Sequence, residues 1–260
     1  MKVLKRNGRT EELDVSKIKK YTSEAVAGLA NVSLSELEVD AKIQFRDMIT
    51  TEEIQQTLIK TAVEKIDIDR PNWTFVAARL FLYDLYHKVS GFNGYNHLKD
   101  YLVKGEKVGR IIPGLKEKYD LEDLNAYIKP ERDLQFAYLG IKTLYDRYLI
   151  KDKNGMPIEL PQHMFMAIAM FLAQNELDSQ GWAKKFYDLI SKFEVMLATP
   201  TLSNARTTRH QLSSCYVGST PDNIEGIFDS YKEMALLSKF GGGIGWDWSK
   251  VRAMGGSIDG

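Results

Sequence analysis

The sequence predicts a mainly α-helical protein that opens on a small β-hairpin and changes to a different texture near its end. Three observations carry this. In "VLKRNGRTEEL" two short segments flank Asn7-Gly8, the strongest short-range hairpin signal. Apolar residues then recur at helical spacing as far as Met196. From Ala198 onward Thr, Ser and Gly rise and apolar runs shorten, towards "KFGGGIGWDW".

Each element has its own signal. Asp14 or Ser16 is placed to cap a helix through about Leu29, with Ile18, Tyr21, Ala25 and Leu29 at helical spacing. "SLSELEVDAKIQF" reads as a second helix. In "TTEEIQQTLIKTAVEKI" Thr50 and Glu53 form a capping-box pattern, and Ile54, Leu58, Ile59, Ala62 and Ile66 make one apolar face. Pro71 suits the first turn of a fourth helix over about 72–89, with Phe75, Ala78, Leu82 and Leu85 as core candidates. Residues 1–89 therefore read as one unit, and "SGFNGYN" as a linker after it. A helical segment over 90–197 is interrupted at "RIIPG" and "KNGMPIELP". Within it "PQHMFMAIAMFLAQ" is apolar on nearly all sides, which predicts burial. Residues 198–260 form the last expected region, without a closing element.

Composition excludes several classes. The chain has 260 residues, 44% hydrophobic and 27% charged, enough for a packed core. With 35 basic and 35 acidic residues its formal net charge is zero, which argues against nucleic acid or an anionic membrane as partner. The first 20 residues alone carry seven Lys/Arg and three Asp/Glu. One cysteine excludes an internal disulfide and a cysteine-based metal cluster, and fits a reducing cytosol. "MKVLKRNGRTEE" has no apolar signal-peptide core, and the longest near-apolar run, Met164 to Ala173, is about half a membrane span. These points predict a cytoplasmic protein. His87, His97, His163 and His210 lack ligand spacing, so no metal bound directly by the chain is expected.

Lys5 and Arg6 enter the turn, Glu11 leaves it, Lys17 lies on the next helix, Thr51 starts another, and His87 and Lys88 end the fourth. Cations beside the free N–H groups of a helix start suit phosphate binding, whereas the plain alternative is a solvated basic face. The order of "VLKRNGRTEELDVSKI", "TTEEIQQTLIKTA" and "AARLFLYDLYHK" closely resembles an ATP-cone, the nucleotide-sensing module in front of many ribonucleotide reductases. That resemblance implies ATP or dATP, with Mg2+, on Lys5, Arg6, Glu11, Lys17, Thr51 and His87. The family often has lysine at the last of these positions. His87 would hold phosphate less well as it loses its proton, unless Lys88 substitutes. A cysteine-rich repressor that also carries a cone needs four zinc-binding cysteines and is set aside.

"ATPTLSNARTTRHQLSSC" resembles the start of the catalytic barrel in class I ribonucleoside-diphosphate reductase large (α) subunits, with sixteen positions from Thr199 to Cys215 as in that family. The resemblance implies the first strands of a ten-stranded α/β barrel. It makes Cys215 one of two reducing thiols, and Thr199 and Ser214 substrate-binding groups beside it. Without the resemblance, Cys215 reads as a small buried residue, and Thr199 and Ser214 as turn and cap residues. Asp222 or Asn223 is a cap candidate for the helix in "TPDNIEGIFDSY". By resemblance Asp222, Asn223, Ile224 and Arg252 hold a deoxynucleoside triphosphate that sets substrate specificity. A second family arginine is replaced by Asp259. "GGGIGWDWSKVRAMGG" fails the dinucleotide fingerprint, since Trp248 stands where the third glycine should be. The sequence assigns no role to Trp246, Asp247 or Trp248.

The resemblance further implies a small radical-carrying (β) subunit, a thioredoxin- or glutaredoxin-type reductant and an α homodimer. It implies that this chain covers about the first third of a subunit and is inactive alone, the second thiol lying elsewhere. The rival from another class is a stand-alone nucleotide-sensing module without catalysis. A glycyl-radical reductase is a further rival, marked by a C-terminal motif outside these residues.

Overall fold

The computed structural model describes residues 1–6, 8–42, 44–257. It divides into two compact units, Met1–Val195 and Met196–Gly260.

The first unit opens with β1 (Lys2–Leu4) and β2 (Thr10–Glu12), paired antiparallel with Val3 opposite Glu11. Asn7 of the turn signal lies outside the described residues; Gly8 takes φ +79° and donates its N–H to the Lys5 carbonyl. Positive φ is why glycine belongs there. Helix α1 (Val15–Val26) is capped by the Asp14 carboxylate, which accepts from the Ser16 N–H. It ends before Leu29, because Gly28 turns the chain at φ +71°. Helix α2 runs Leu34–Lys42. A short strand that the sequence did not announce, β3 (Ile49–Thr50), then pairs parallel with β1, Leu4 opposite Thr50.

Helix α3 (Thr51–Glu64) carries the expected capping box: the Glu53 N–H donates to Thr50 Oγ1, and the Glu53 carboxylate accepts from the Thr50 N–H. Ile54, Leu58, Ile59 and Ala62 are buried, but Ile66 lies past the helix end and is exposed. Helix α4 (Trp73–Ser90) starts two residues after Pro71, so the proline precedes the helix instead of occupying its first turn. Ala78, Leu82 and Leu85 are core, joined by Trp73, Val76 and Leu80; Phe75 is only half-buried.

The expected linker is tied down. Gly91 caps α4 in the left-handed region, and the Tyr95 hydroxyl donates to Asp133 at 2.6 Å. The helical segment continues with α5 (Leu98–Lys107), α6 (Leu121–Tyr127), α7 (Tyr138–Arg147), α8 (Pro161–Ala173) and α9 (Ser179–Ser191). Every residue of α8 except Leu172 is buried, as its all-round apolar sequence predicts. Fully buried Asp133 accepts from Tyr86 (2.7 Å), Tyr95 and Gln162 (2.8 Å), which joins α4 to α8. A buried acceptor needs such donors.

The second unit contains α10 (Thr199–Asn204), β4 (Cys215–Ser219), α11 (Ile224–Lys239) and β5 (Gly243–Asp247). Strands β4 and β5 are parallel, Cys215 opposite Gly243 and Ser219 opposite Asp247, with α11 as the crossover that parallel neighbours require.

Candidate nucleotide and thiol sites

The pairing of Leu4 with Thr50 sets the first site. The next residue on one side is Lys5, and on the other Thr51, the first residue of α3. Hairpin cations and a helix N-terminus are thereby brought to one place, where unpaired N–H groups and the helix dipole favour anions. A cavity of about 580 Å3 lies there, within the range that holds a nucleotide-sized ligand. All six residues expected at the cone site, Lys5, Arg6, Glu11, Lys17, Thr51 and His87, line it. Ile18, Ile54 and Leu58 supply apolar wall.

Lys5 faces Glu11 at 3.9 Å and Lys17 faces Asp14 at 3.9 Å. Arg6 Nη2 lies 2.7 Å from Oδ1 of Asp84, and Lys88 Nζ lies 2.7 Å from the other oxygen. Lys88 also faces Glu52 at 3.4 Å and lines a smaller neighbouring pocket with Gln56 and Lys142. It is not part of the cavity wall, so the structure does not place it as a substitute for His87. The His87 ring is half-buried, and burial followed by the Arg6 charge lowers its pKa below 6.5. Burial pushes the Tyr83 hydroxyl, also on the wall, up to about 12.

Sequence reasoning missed Asp84, Tyr21 and Tyr83 as wall residues. In the sequence Tyr21 reads only as part of an apolar helical stripe. For Asp84 the available signal was an acid within the apolar run of α4, three and four positions before His87 and Lys88.

In the second unit Thr199 begins α10, Ser214 precedes β4 and Cys215 opens it. All three are exposed in this chain, and Cys215 is a free thiol. Across the ladder, a Cβ on Gly243 would stand 3.7 Å from Cys215 Sγ and 3.3 Å from the Ser214 carbonyl oxygen. Glycine leaves that side of the thiol open.

Asn223, not Asp222, caps α11: its side-chain oxygen accepts from the Gly226 N–H at 2.7 Å. Asp222 instead accepts from the Arg252 backbone N–H at 3.2 Å and its Nε at 2.8 Å, and these bonds hold its carboxyl below the usual range. Ile224 is exposed beside them. Asp222, Asn223, Ile224 and Arg252 are thus gathered around one helix start, while Asp259 lies outside the described residues. The structure supplies roles for three unassigned residues. Trp246 donates to Thr220 at 3.0 Å, Asp247 accepts from the Ser249 N–H at 2.8 Å, and Trp248 packs on Tyr231 at 5.4 Å. Among the described residues no group of three or more His, Cys, Asp and Glu is placed to hold a metal ion, and no helix is long and apolar enough to cross a membrane.

A cation-lined cavity under a hairpin, a helical segment and the opening of a parallel α/β layer with a thiol at a strand start follow one another along the chain. Known families match these stretches in turn. Residues 1–88 match the ATP cone domain, 134–210 the ribonucleotide reductase all-alpha domain and 213–260 the ribonucleotide reductase barrel domain. The chain is 74% identical to the ribonucleoside-diphosphate reductase subunit alpha of Helicobacter pylori, over 99% of this chain and 33% of that protein. It is 39% identical to the subunit alpha of Treponema pallidum over 83% of this chain and 26% of the relative. It is 34% identical to the ribonucleoside-diphosphate reductase 1 subunit alpha of Escherichia coli over 99% of this chain and 35% of the relative. The chain belongs to the ribonucleotide reductase large-subunit family. It spans about a third of the length of the H. pylori relative.

Proposed function

We propose that this chain is the N-terminal part of a ribonucleoside-diphosphate reductase α subunit that binds ATP or dATP in its hairpin cavity. The observation that carries the reading is the convergence of Lys5, Arg6, Glu11, Lys17, Thr51 and His87 on one cavity, in a chain of this family. Triphosphate oxygens would take Lys5, Arg6, Lys17 and the N–H groups at the start of α3, while Ile18, Ile54 and Leu58 offer the base an apolar wall. Mg2+ would arrive with the nucleotide and meet the acidic side chains of Glu11 and Asp14. Occupancy here would bias activity elsewhere in the subunit, a coupling between distinct sites.

The reaction proposed for the whole subunit replaces a ribose 2'-OH by hydrogen. The C–O bond breaks, a C–H bond forms, water leaves, and two thiols lose two electrons and two protons as they join in a disulfide. Cys215 is the proposed thiol from this chain, with Thr199 and Ser214 on the substrate and a second thiol elsewhere in the subunit. Asp222, Asn223, Ile224 and Arg252 are the proposed effector site for substrate choice. The proposed partners are a radical-carrying β subunit, a thioredoxin- or glutaredoxin-type reductant and a second α subunit, in the cytoplasm.

Calorimetric titration of the 260-residue chain with ATP and dATP tests the regulatory half. Binding is expected in the wild type and lost in Lys5→Ala plus Lys17→Ala. Binding that survives both changes sinks the cavity assignment.

A further inference from the structure

Three cations on the cavity wall already have carboxylates facing them. Lys5–Glu11 and Lys17–Asp14 are 3.9 Å apart, the first pair partly exposed and both partners of the second exposed, and such pairs open at little cost. Arg6–Asp84 differs. It is a 2.7 Å contact between the hairpin turn and α4, and Asp84 is only 3% exposed. A phosphate entering the cavity offers Arg6 the same charge and the same kind of oxygen acceptor. It would also be repelled by Asp84, which lines the same cavity.

We propose that Asp84 is an internal stand-in for a phosphate: it holds Arg6 in the absence of ligand and surrenders it when a nucleotide phosphate arrives. This rests on the nucleotide reading of the cavity. Asp84 can give up Arg6 because its other oxygen stays held by Lys88 at 2.7 Å and by the Gln56 amide at 3.3 Å. A buried carboxylate left with no partner would be far more costly. Lys88 sits one turn further along α4 and outside the cavity wall, so its contact is with Asp84 and not with the cavity surface. Asp84 therefore sets affinity by competition. Binding replaces a direct tether between hairpin and α4 with one that runs through the ligand.

The test uses the 260-residue chain, ATP and calorimetry, with thermal melts by circular dichroism to establish folding. Asp84→Asn frees Arg6, and ATP is expected to bind about tenfold more tightly, the lower end of what one charged hydrogen bond is worth. Lys88→Gln leaves Arg6 as the only close cation on Asp84 among the described residues, and ATP is expected to bind several-fold more weakly. A merely structural role would weaken both variants. If Asp84→Asn fails to fold, Asp84→Ser, which also removes the charge but leaves an oxygen for Lys88, takes its place with the same expected tightening, and unchanged or weaker binding there overturns the inference. Unchanged or weaker binding in a folded Asp84→Asn, or unchanged or tighter binding in Lys88→Gln, overturns the inference. A wild-type chain that binds neither ATP nor dATP removes the nucleotide reading and the inference with it. Wild-type binding with both variants unchanged removes the inference alone.

Discussion

The Tyr21 hydroxyl lies 3.1 Å from Nε2 of His87, and the two rings meet edge to face with centroids 6.0 Å apart. A neutral imidazole at the end of α4 can accept from that hydroxyl, and burial together with Arg6 favours the neutral form.

This predicts a pH-dependent nucleotide site. A bound phosphate favours protonated His87, so the liganded pKa exceeds the unliganded one, which is below 6.5. Binding then takes up a proton between those two values, and ATP affinity should rise as pH falls through that window. Titrations of ATP from pH 8 to pH 5.5 (solution conditions, on the order of the histidine range) measure the slope. His87→Lys should flatten it. An equal slope in His87→Lys would assign the dependence to another group.

Asp133 makes a prediction about stability. Burial raises its pKa from 3.8 to about 6, against the three donors that lower it. A folded pKa above the unfolded value means that the protonated form is favoured by folding. Its contribution is fully present below 3.8 and is lost as pH rises through about 6. The two-unit shift corresponds to roughly 3 kcal/mol. Urea unfolding should therefore show Asp133→Asn gaining on the wild type by about this order between pH 4 and pH 7. A constant difference across that range would mean that Asp133 does not titrate there.

Gly218 predicts a local stability cost in the second unit. A Cβ there would stand 2.5 Å from the Trp246 ring, whose Nε1 donates to Thr220. Gly218→Ala must push the indole aside, for a loss of about 1–3 kcal/mol. Trp246 fluorescence in a denaturant titration reports it. An unmoved midpoint would show that the ring relocates freely.

Cys215 and Arg252 are tested in a full α subunit that carries this sequence. Cys215→Ser should keep ATP binding and lose turnover with a dithiol reductant, since serine is close in size but cannot form a disulfide. Arg252→Ala breaks the pair with Asp222 and should alter which ribonucleotide dTTP or dGTP favours more than it alters total activity. Turnover intact in the serine variant, measured by deoxyribonucleotide formation, would return Cys215 to a passive role.

Local signals in the sequence were legible wherever neighbours in the chain decide the structure. The Thr50–Glu53 box, the Asp14 cap and the buried α8 each follow from a few adjacent residues. The six cavity residues were expected only through the resemblance of their order along the chain to an ATP-cone. The β1–β3 pairing was not, because a two-residue strand has no periodicity and depends on a partner 46 positions away. Asp84 was hidden for a similar reason: its ion pair with Arg6 spans 78 positions. The "SGFNGYN" segment looked like a linker because its composition is that of a loop, and only tertiary contact shows Tyr95 anchored on Asp133.

The two-rung ladder between β1 and β3 also governs which changes of chain length the site tolerates. Leu4 opposite Thr50 fixes the phase in which Lys5 and Thr51 emerge side by side. A residue inserted beside Phe45 enters neither strand, and loop closure grows slowly with length. A residue inserted within Lys2–Leu4 shifts the strand by one pleat and turns its side chains to the opposite face. The hairpin's cations would then leave the helix start, even though every residue of the site was still present.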